Sequence, residues 1–151
     1  MTLTYHCLPF DQLSTHDLYN ILRLRQEIFI VEQNCPYLDA DGKDVDAFHI
    51  LIKNEEDLIA YTRLLPKGIS YEDYASIGRV VNKKGNRGHG LGKKLMEYSI
   101  EKTKEHYPNS DIKISAQTYL NDFYGNLGFV KIGDSYLEDD IPHQAMILKV
   151  S

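Results

Sequence analysis

Cysteine is scarce in this chain of 151 residues. The sequence holds two cysteines, Cys7 and Cys35, and no Cys-x-x-Cys pair. This scarcity excludes a disulfide framework, and two thiols fit a reducing compartment, so we expect a cytoplasmic protein. Cys35 has no evident base beside it in the sequence, and we interpret it as a packed thiol rather than a nucleophile.

Long apolar runs are also missing. No segment approaches the ~18–20 consecutive apolar residues that a membrane-spanning helix needs. The start of the chain lacks a basic stretch followed by an apolar one, which argues against a secretory signal. We therefore expect no membrane partner.

Positive charge is in the minority, because 17 lysines and arginines stand against 22 acidic residues, for a formal net charge of −5. A nucleic-acid binder needs a basic surplus, so this balance argues against a nucleic-acid partner. The charge is unevenly placed: residues 74–96 carry six basic residues and no acid, and the rest carries 11 basic and 22 acidic residues. The six are Arg79, Lys83, Lys84, Arg87, Lys93 and Lys94.

The length and a hydrophobic content of 42% predict one folded domain over residues 1–151. The order of strand and helix patterns predicts an α/β domain with a mixed central β-sheet flanked by helices. A capping box begins at Ser14, with Asp17 in place of the usual Glu, and opens a helix that ends near residues 32–33. The predicted strands are 2–8, 47–53, 58–65, 76–81, 112–116, 129–132 and 143–150, and the later helices are 91–106 and 120–126.

A glycine-rich turn at residues 82–92 connects a predicted strand to a predicted helix. Glycines let a ligand approach the backbone closely, and the start of a helix presents unpaired N–H groups that bind anions. Lys93 and Lys94, in the first helical turn, oppose the helix dipole at a cost of roughly 0.3–1 kcal/mol each when exposed. Because a bound phosphate would offset that cost, the turn predicts a phosphate-bearing ligand.

The turn does not follow the Walker pattern, because Arg87 stands where the first glycine is required, and its alternating glycines do not form G-x-G-x-x-G. Residues 87–92, Arg-Gly-His-Gly-Leu-Gly, do match R-x-x-G-x-G. They resemble the acetyl-CoA pyrophosphate loop of the GNAT acyltransferase family. The resemblance implies the GNAT acyl-CoA N-acyltransferase fold, with acetyl-CoA as cosubstrate and no metal. It places the cofactor against Arg87, Gly88, His89, Gly90, Leu91, Gly92 and Lys93.

A second segment extends the resemblance, since residues 121–129 are similar to a GNAT segment that begins with Asn and ends with Gly-Phe. In that family the Asn contacts the cofactor and the Tyr protonates the departing thiolate, which implies these roles for Asn121 and Tyr124. A core aromatic is the alternative reading of Tyr124. The family also implies that backbone N–H groups near Val80 and Val81 stabilise the oxyanion. Residues 29–44 and 138–146 resemble the ElaA-like branch of the family.

The general base is not evident. Many GNAT enzymes carry a Glu on the strand before the loop, and residues 76–81 contain no carboxylate. Because the attacking amine must lose a proton, the base lies elsewhere or a water chain carries the proton. His143, beside the acidic residues 138–140, is the better candidate catalytic base, and His49 is the other. A structural role or metal ligation stays open for both histidines.

Acidic residues cluster around the irregular segment 34–46, which in GNAT folds borders the acceptor cleft. They would attract a cationic amine acceptor, and an ordinary solvated loop is the alternative. A calcium loop is a poor fit, because Asp44 replaces the required glycine. Arg63 and Arg79, on apolar strands, need buried acidic partners, for which Asp44 and Asp46 are available. The acidic set is Glu32, Asp39, Asp41, Asp44 and Asp46.

These features together predict an N-acetyltransferase that moves an acetyl group from acetyl-CoA to a primary amine by direct attack. A non-catalytic acyl-CoA-binding sensor or interaction module is the alternative, because the strand carboxylate is missing. A nucleic-acid binder is a weak third, because no aromatic side chains interleave the lysines. The identity of the amine and the oligomeric state stay open, a homodimer included.

Overall fold

A computed structural model describes residues 2–86 and 90–150. The elements follow the predicted order along the chain. The strands are β1 (Leu3–Pro9), β2 (Phe48–Asn54), β3 (Asp57–Leu65), β4 (Ala75–Asn82), β5 (Ile112–Gln117), β6 (Val130–Glu138) and β7 (Ile141–Leu148). The helices are α1 (Thr15–Arg25), α2 (Leu91–His106) and α3 (Asn121–Gly125), with short 3-10 turns at Phe10–Gln12, Asp44–Asp46 and Thr118–Leu120.

The first helix begins where the sequence predicts it. The Asp17 N–H donates a hydrogen bond to the Ser14 hydroxyl at 3.0 Å, which is one half of a capping box. The Asp17 carboxylate instead accepts from Lys53 Nζ at 2.8 Å, so the other half is replaced by a contact with β2. After α1 the chain continues in π-helical form over Gln26–Glu32, and the helical stretch ends at the predicted position.

A single sheet contains the seven strands of the described chain, in the order β1-β2-β3-β4-β5-β7-β6. Neighbouring strands are antiparallel except β4 and β5, which are parallel. The parallel contact is short, with Ala75 opposite Ile112 and Ser76 opposite Lys113. Beyond these two pairs, β4 and β5 are no longer paired, and residues of both strands line a cleft between them.

Each face of the sheet is covered by a helix. Alternate side chains of β2 point to opposite faces, so Ile50 joins the larger core beneath α2 and Leu51 joins the smaller core beneath α1. Leu95 and Met96 of α2 are fully buried in the larger core, and Ile21 of α1 is fully buried in the smaller one. The mixed sheet flanked by helices that the sequence predicts is therefore confirmed.

Strand β6 is longer than predicted. The predicted strand stops at residue 132, where Gly133 interrupts the apolar pattern, whereas the observed strand continues to residue 138. The register shifts between Ile132 and Tyr136, opposite β7. Gln144 of β7 donates to the Ile132 and Gly133 carbonyls at 2.9 and 3.1 Å, which satisfies backbone groups at the irregularity. Because a partner side chain supports this continuation, the local sequence does not reveal it.

Both cysteines are free thiols in the structure. Within residues 2–86 and 90–150, no helix combines the length and the apolar character that a membrane crossing requires.

Candidate active site

Two adjacent cavities occupy the cleft between β4 and β5. The first, called here the His143 cavity, has a volume of about 360 Å³ and extends from Ile77 and Gly78 of β4 to His143 of β7. The second, the Gly92 cavity, has a volume of about 340 Å³ and reaches the start of α2. Val80 and Tyr124 line both cavities, so they stand where the two meet.

A bulge in β4 shapes the wall of the cleft. Val81 pairs with Tyr61 and Gly78 pairs with Arg63, so two residues of β4 lie opposite one residue of β3. Arg79, the first of these two, has a φ of 50°, which is unusual for a residue other than glycine. Of the two predicted oxyanion residues, Val80 lines both cavities, whereas Val81 is 2% exposed and lines only the Gly92 cavity.

The start of α2 forms one end of the Gly92 cavity. Gly90 precedes the helix in the left-handed conformation, with a φ of 70°, and Leu91 is buried. A Cβ added at Gly92 would lie 3.3 Å from Asn82 Nδ2, which leaves little room for a side chain there. Lys93 is exposed, and the first turn of the helix holds no acidic residue. The other predicted loop residues, Arg87, Gly88 and His89, lie outside the described residues.

Asn121 begins α3, close in sequence to the residues that line both cavities. Its Oδ1 atom is buried, and the described part of the chain offers it no hydrogen-bond partner. A buried carbonyl oxygen without a donor is costly, because it has lost its hydration. Asn121 is not among the residues that line either cavity.

Tyr124 is 5% exposed and packs edge-on against two phenylalanine rings, Phe123 at 5.1 Å and Phe129 at 5.9 Å between centroids. Burial, and to a smaller extent the nearby Tyr119, raises the pKa of Tyr124 to about 12. Its hydroxyl is therefore protonated at neutral pH. Because Tyr124 lines both cavities, it is at once part of the core and part of the cleft.

His143 is buried to all but 9% of its surface and lines the cavity that bears its name. Its Nδ1 lies 2.7 Å from the Ile141 carbonyl, which can only accept, so Nδ1 carries the proton. Its Nε2 lies 3.2 Å from Glu138 Oε2, at the open end of the cavity. The ring also stacks on Tyr136 at 6.2 Å between centroids. This arrangement leaves Nε2 as the nitrogen that can take up or release a proton.

His49 has a different environment. It is fully buried between Tyr61 and Asp44, with Nδ1 2.6 Å from the Tyr61 hydroxyl and Nε2 2.9 Å from the Asp44 carbonyl. Burial lowers the pKa of His49, which keeps the ring neutral. His49 lines neither cavity, so the structural interpretation of this residue is confirmed.

The structure corrects the interpretation of the acidic loop as a surface that attracts a cation. Asp39, Asp41 and Asp44 do not form an open cation trap, because each is paired with arginines. Arg25 Nε lies 2.7 Å from Asp39 Oδ2 and Arg25 Nη1 lies 2.8 Å from Asp44 Oδ1. Arg63 contacts Asp41 at 2.8 Å and Asp44 at 3.0 Å.

The predicted partner of Arg63, Asp44, is confirmed, whereas Arg79 contacts Asp39 at 2.8 Å and Asp41 at 3.2 Å rather than Asp44 or Asp46. Burial by itself would raise the pKa of Asp41, but hydrogen bonds from Arg63 and the Lys43 N–H lower it to about 2. The three aspartates are therefore neutralised by arginines within the fold.

Arg25 is the important residue that the sequence analysis does not identify. It is fully buried and donates to Asp39 and Asp44 through three of its nitrogens. The signal was present, since Arg25 follows Ile21 by four residues and precedes Ile28 by three, which places it on the apolar face of the helix. A charge at such a position needs buried partners.

Within residues 2–86 and 90–150, no group of three or more His, Cys, Asp or Glu side chains is placed to hold a metal ion.

Comparison with known proteins agrees with this geometry. The profile of the acetyltransferase (GNAT) domain family matches residues 40–150. A UPF0039 protein of Synechocystis sp. is 41% identical over 99% of this chain and 97% of its own length. Protein ElaA of Escherichia coli is 39% identical over 95% of this chain and 94% of its own.

Solved structures give the same result. A crystal structure of an acyl-CoA N-acyltransferase from Pseudomonas aeruginosa superposes with a TM-score of 0.92 and 39% identity, covering 98% of this chain and all of that one. The crystal structure of E. coli ElaA also gives a TM-score of 0.92, at 37% identity over 98% of this chain and all of its own. The predicted fold and the resemblance to ElaA are confirmed, and this chain belongs to the GNAT acetyltransferase family.

Proposed function

We propose that this protein transfers an acetyl group from acetyl-CoA to a primary amine by direct attack of the amine. One observation carries the proposal: a protonated Tyr124 and His143, whose Nε2 lies 3.2 Å from Glu138 Oε2, line the same cavity, on the β4–β5 gap. An acyl transfer of this kind needs a proton donor for the leaving thiolate and a proton acceptor for the amine. Both groups are present, and they lie on different strands and helices of the same cleft.

The residues around the Gly92 cavity suit a coenzyme A moiety. The start of α2 offers backbone N–H groups and Lys93 to phosphate oxygens, and the absence of a side chain at Gly92 permits close approach. Asn121 lines neither cavity in this structure, so its buried Oδ1 would have to turn towards the Gly92 cavity to accept from an amide N–H of the cofactor. Residues 87–89 complete the proposed loop. When bound, acetyl-CoA supplies a thioester carbonyl for attack and a thiolate as leaving group.

Backbone and side-chain groups of this chain then supply the steps of the transfer. Backbone N–H groups at Val80 and Val81 donate towards the carbonyl oxygen as it gains negative charge. Tyr124 donates its proton to the departing sulfur. The desolvation that raises the pKa of Tyr124 to about 12 makes the hydroxyl a weaker acid, but it also makes a thiolate beside it more basic, which offsets that loss.

His143 is the proposed base. The Ile141 carbonyl holds the proton on Nδ1, so Nε2 is the atom that accepts the amine proton once the amine enters between Nε2 and Glu138. The imidazolium that forms is stabilised by Glu138, 3.2 Å from Nε2. This pair supplies the function that a carboxylate on β4 performs in many members of the family.

The acceptor is proposed to be a cationic amine. Since Asp39, Asp41 and Asp44 are neutralised by arginines, they contribute no net attraction. Among the described residues, the carboxylates that line the His143 cavity are Glu138 and Asp139. A second positive group on the acceptor would lie near these two side chains while its reacting amine faces His143.

The decisive experiment follows free thiol release from acetyl-CoA with a panel of monoamines, polyamines and peptide N-termini. With a productive amine, Tyr124→Phe should lower kcat about 100-fold, because the general acid is lost. The acetyl-CoA Kd, measured by calorimetry, should stay within about twofold, since a hydroxyl alone is removed. Tyr19→Phe is the matched control, because Tyr19 is 67% exposed and lines neither cavity. Equal kcat for the Tyr124 variant and the parent would contradict the acid role.

The base is tested by the pH dependence of kcat/KM. In the parent protein, kcat/KM should rise with pH as the general base loses its proton. His143→Gln should lower kcat/KM about 100-fold and remove that ascending limb. His49→Gln serves as the comparison, because it alters a buried histidine outside the cleft. A parent-like ascending limb in the His143 variant would assign the titration to another group.

An acyl-CoA-binding sensor is the alternative function, favoured by the absence of any carboxylate from β4. Acetyl-CoA binding with no thiol release on any amine of the panel would support the sensor. Thiol release that depends on both the amine and Tyr124 would exclude it.

A further inference from the structure

Arg79 has a backbone conformation that its side chain does not favour. Its φ of 50° lies in the left-handed region, which glycine enters freely and other residues enter at a cost. It occupies the bulge of β4, between Gly78 and Val80, and all three residues line the His143 cavity. Such a conformation persists only where surrounding contacts hold it.

The contacts that hold Arg79 come from the loop over residues 34–46. Its Nε forms an ion pair with Asp39 Oδ1 at 2.8 Å, and its Nη2 donates to the Asp39 carbonyl at 3.1 Å. The same Nη2 donates to Asp41 Oδ2 at 3.2 Å. The guanidinium also lies over the Tyr37 ring, 5.7 Å from its centroid. One side chain therefore connects the bulge to three residues of the loop.

The loop is a fixed anchor for these contacts. Asp39 is 5% exposed and is held from the opposite direction by Arg25, whose Nε lies 2.7 Å away. Asp41 is held by two hydrogen bonds from Arg63, at 2.8 and 2.9 Å. Because Arg25 and Arg63 also hold these two aspartates, the positions of the aspartates do not depend on Arg79 alone. The aspartates therefore hold the Arg79 side chain in place.

We propose that Arg79 is a positioning residue for acyl transfer. Its contacts with Asp39, Asp41 and Tyr37 hold the left-handed bulge, and the bulge sets the position of the Val80 backbone in the cleft. This inference rests on the proposed function, in which the Val80 N–H donates to the acyl carbonyl. Arg79 itself need not touch either substrate.

Two substitutions separate backbone conformation from side-chain contact. Arg79→Ala and Arg79→Gly both remove every contact of the guanidinium, but glycine adopts a φ near 50° without steric cost and alanine does not. Crystal structures of the two variants without ligand should show residue 79 leaving the left-handed region in the alanine variant and keeping it in the glycine variant. An alanine variant that retains the left-handed conformation would overturn the claim that the side chain holds the bulge.

The effect on the reaction is measured by the infrared frequency of the acetyl carbonyl and by kcat. Infrared difference spectra of bound [1-13C]acetyl-CoA should show a hydrogen-bonded carbonyl in the parent, a shift towards the free frequency in Arg79→Ala, and recovery in Arg79→Gly. Arg79→Ala should lower kcat about 100-fold with the acetyl-CoA Kd little changed, and Arg79→Gly should regain about tenfold of that loss. Equal kcat and equal carbonyl frequencies in the two variants would overturn the proposal.

A further variant and a binding measurement on the parent protein complete the test. Arg79→Asn, which also tolerates the left-handed region, should behave like the glycine variant and replaces it if that variant does not fold. A parent protein that binds no acetyl-CoA would refute the proposed function, whereas the ligand-free structures would still decide whether the side chain holds the bulge.

Discussion

The acidic loop at residues 34–46 and the first turn of α2 both concentrate charge of one sign, yet the fold uses them in opposite ways. In the loop, Asp39, Asp41 and Asp44 each contact arginines that come from other elements. In the first turn of α2, Lys93 and Lys94 are exposed, and no carboxylate pairs with them within the described ranges. The loop charges are paired within the fold, whereas the lysine charges are the ones that we propose bind a ligand.

The difference shows what a run of like charge means in a sequence. Its role depends on whether counter-charges from distant parts of the chain reach it. Arg25 and Arg63 lie 14 or more residues away from the aspartates that they contact. A local charge count therefore identifies both segments as unusual, but it cannot tell internal pairing from ligand binding.

The largest expected effect comes from removing the central cation of the loop network. Arg25→Met should lower the free energy of unfolding by about 3–5 kcal/mol, because the three aspartates of the network would keep only Arg63 and Arg79, which leaves one negative charge uncompensated in a buried site. Urea denaturation measures this change. Arg23→Met, which removes an exposed arginine paired with Glu27, should cost less than about 1 kcal/mol. Similar losses in the two variants would mean that the buried network contributes no more than a surface ion pair.

The next effect concerns binding rather than stability. The double variant Lys93→Gln and Lys94→Gln should raise the acetyl-CoA Kd about tenfold, since two cations near the phosphates contribute roughly 1.4 kcal/mol together. Its free energy of unfolding without ligand should stay unchanged or rise by about 0.5 kcal/mol, because lysines at a helix start oppose the dipole. Lys104→Gln, in the last turn of the same helix, is the control and should leave the Kd unchanged. A destabilised double variant would place these lysines with the loop charges.

The smallest expected effect is the pH dependence of the stability that Asp41 of the loop contributes. The hydrogen bonds of Asp41 lower its pKa from 3.8 to about 2 in the folded protein, so its stabilisation is complete above pH 3.8 and is lost as the pH falls towards 2. Asp41→Asn should therefore be less stable than the parent at pH 6, by about 1 kcal/mol after allowance for solvent screening. Thermal unfolding of both proteins between pH 6 and pH 2 should show this difference shrinking in the acid range. A difference that is constant with pH would assign the stabilisation to uncharged contacts.

Local patterns account for most of the fold. The predicted bounds of α2, 91–106, agree with the observed helix, because the glycine-rich turn and a downstream proline limit it on both sides. The β2–β3 hairpin and the cap at Ser14 follow from similarly local signals. These elements depend on residues that are neighbours in the sequence, so the sequence alone reveals them.

Features that depend on distant contacts are not visible in the same way. The bulge at Arg79 needs the aspartates of another segment, and the continuation of β6 past Gly133 needs the Gln144 amide from β7. The sequence selects Tyr124 and His143 as candidate residues through a motif and a neighbouring charge. It could not show that both line one cavity, because that depends on how β7 and α3 meet β4.

The short contact between β4 and β5 gives the cleft the shape of a wedge. Its apex is formed by the pairs Ala75–Ile112 and Ser76–Lys113, and Ala75 and Ile112 are fully buried. Val80 lies four residues beyond the apex, about 13 Å along an extended strand. A small change in the angle between β4 and β5 at the apex would therefore move the backbone of Val80 by a larger distance. Ala75 lines neither cavity, so the apex belongs to the core of the sheet and not to the wall of the cleft.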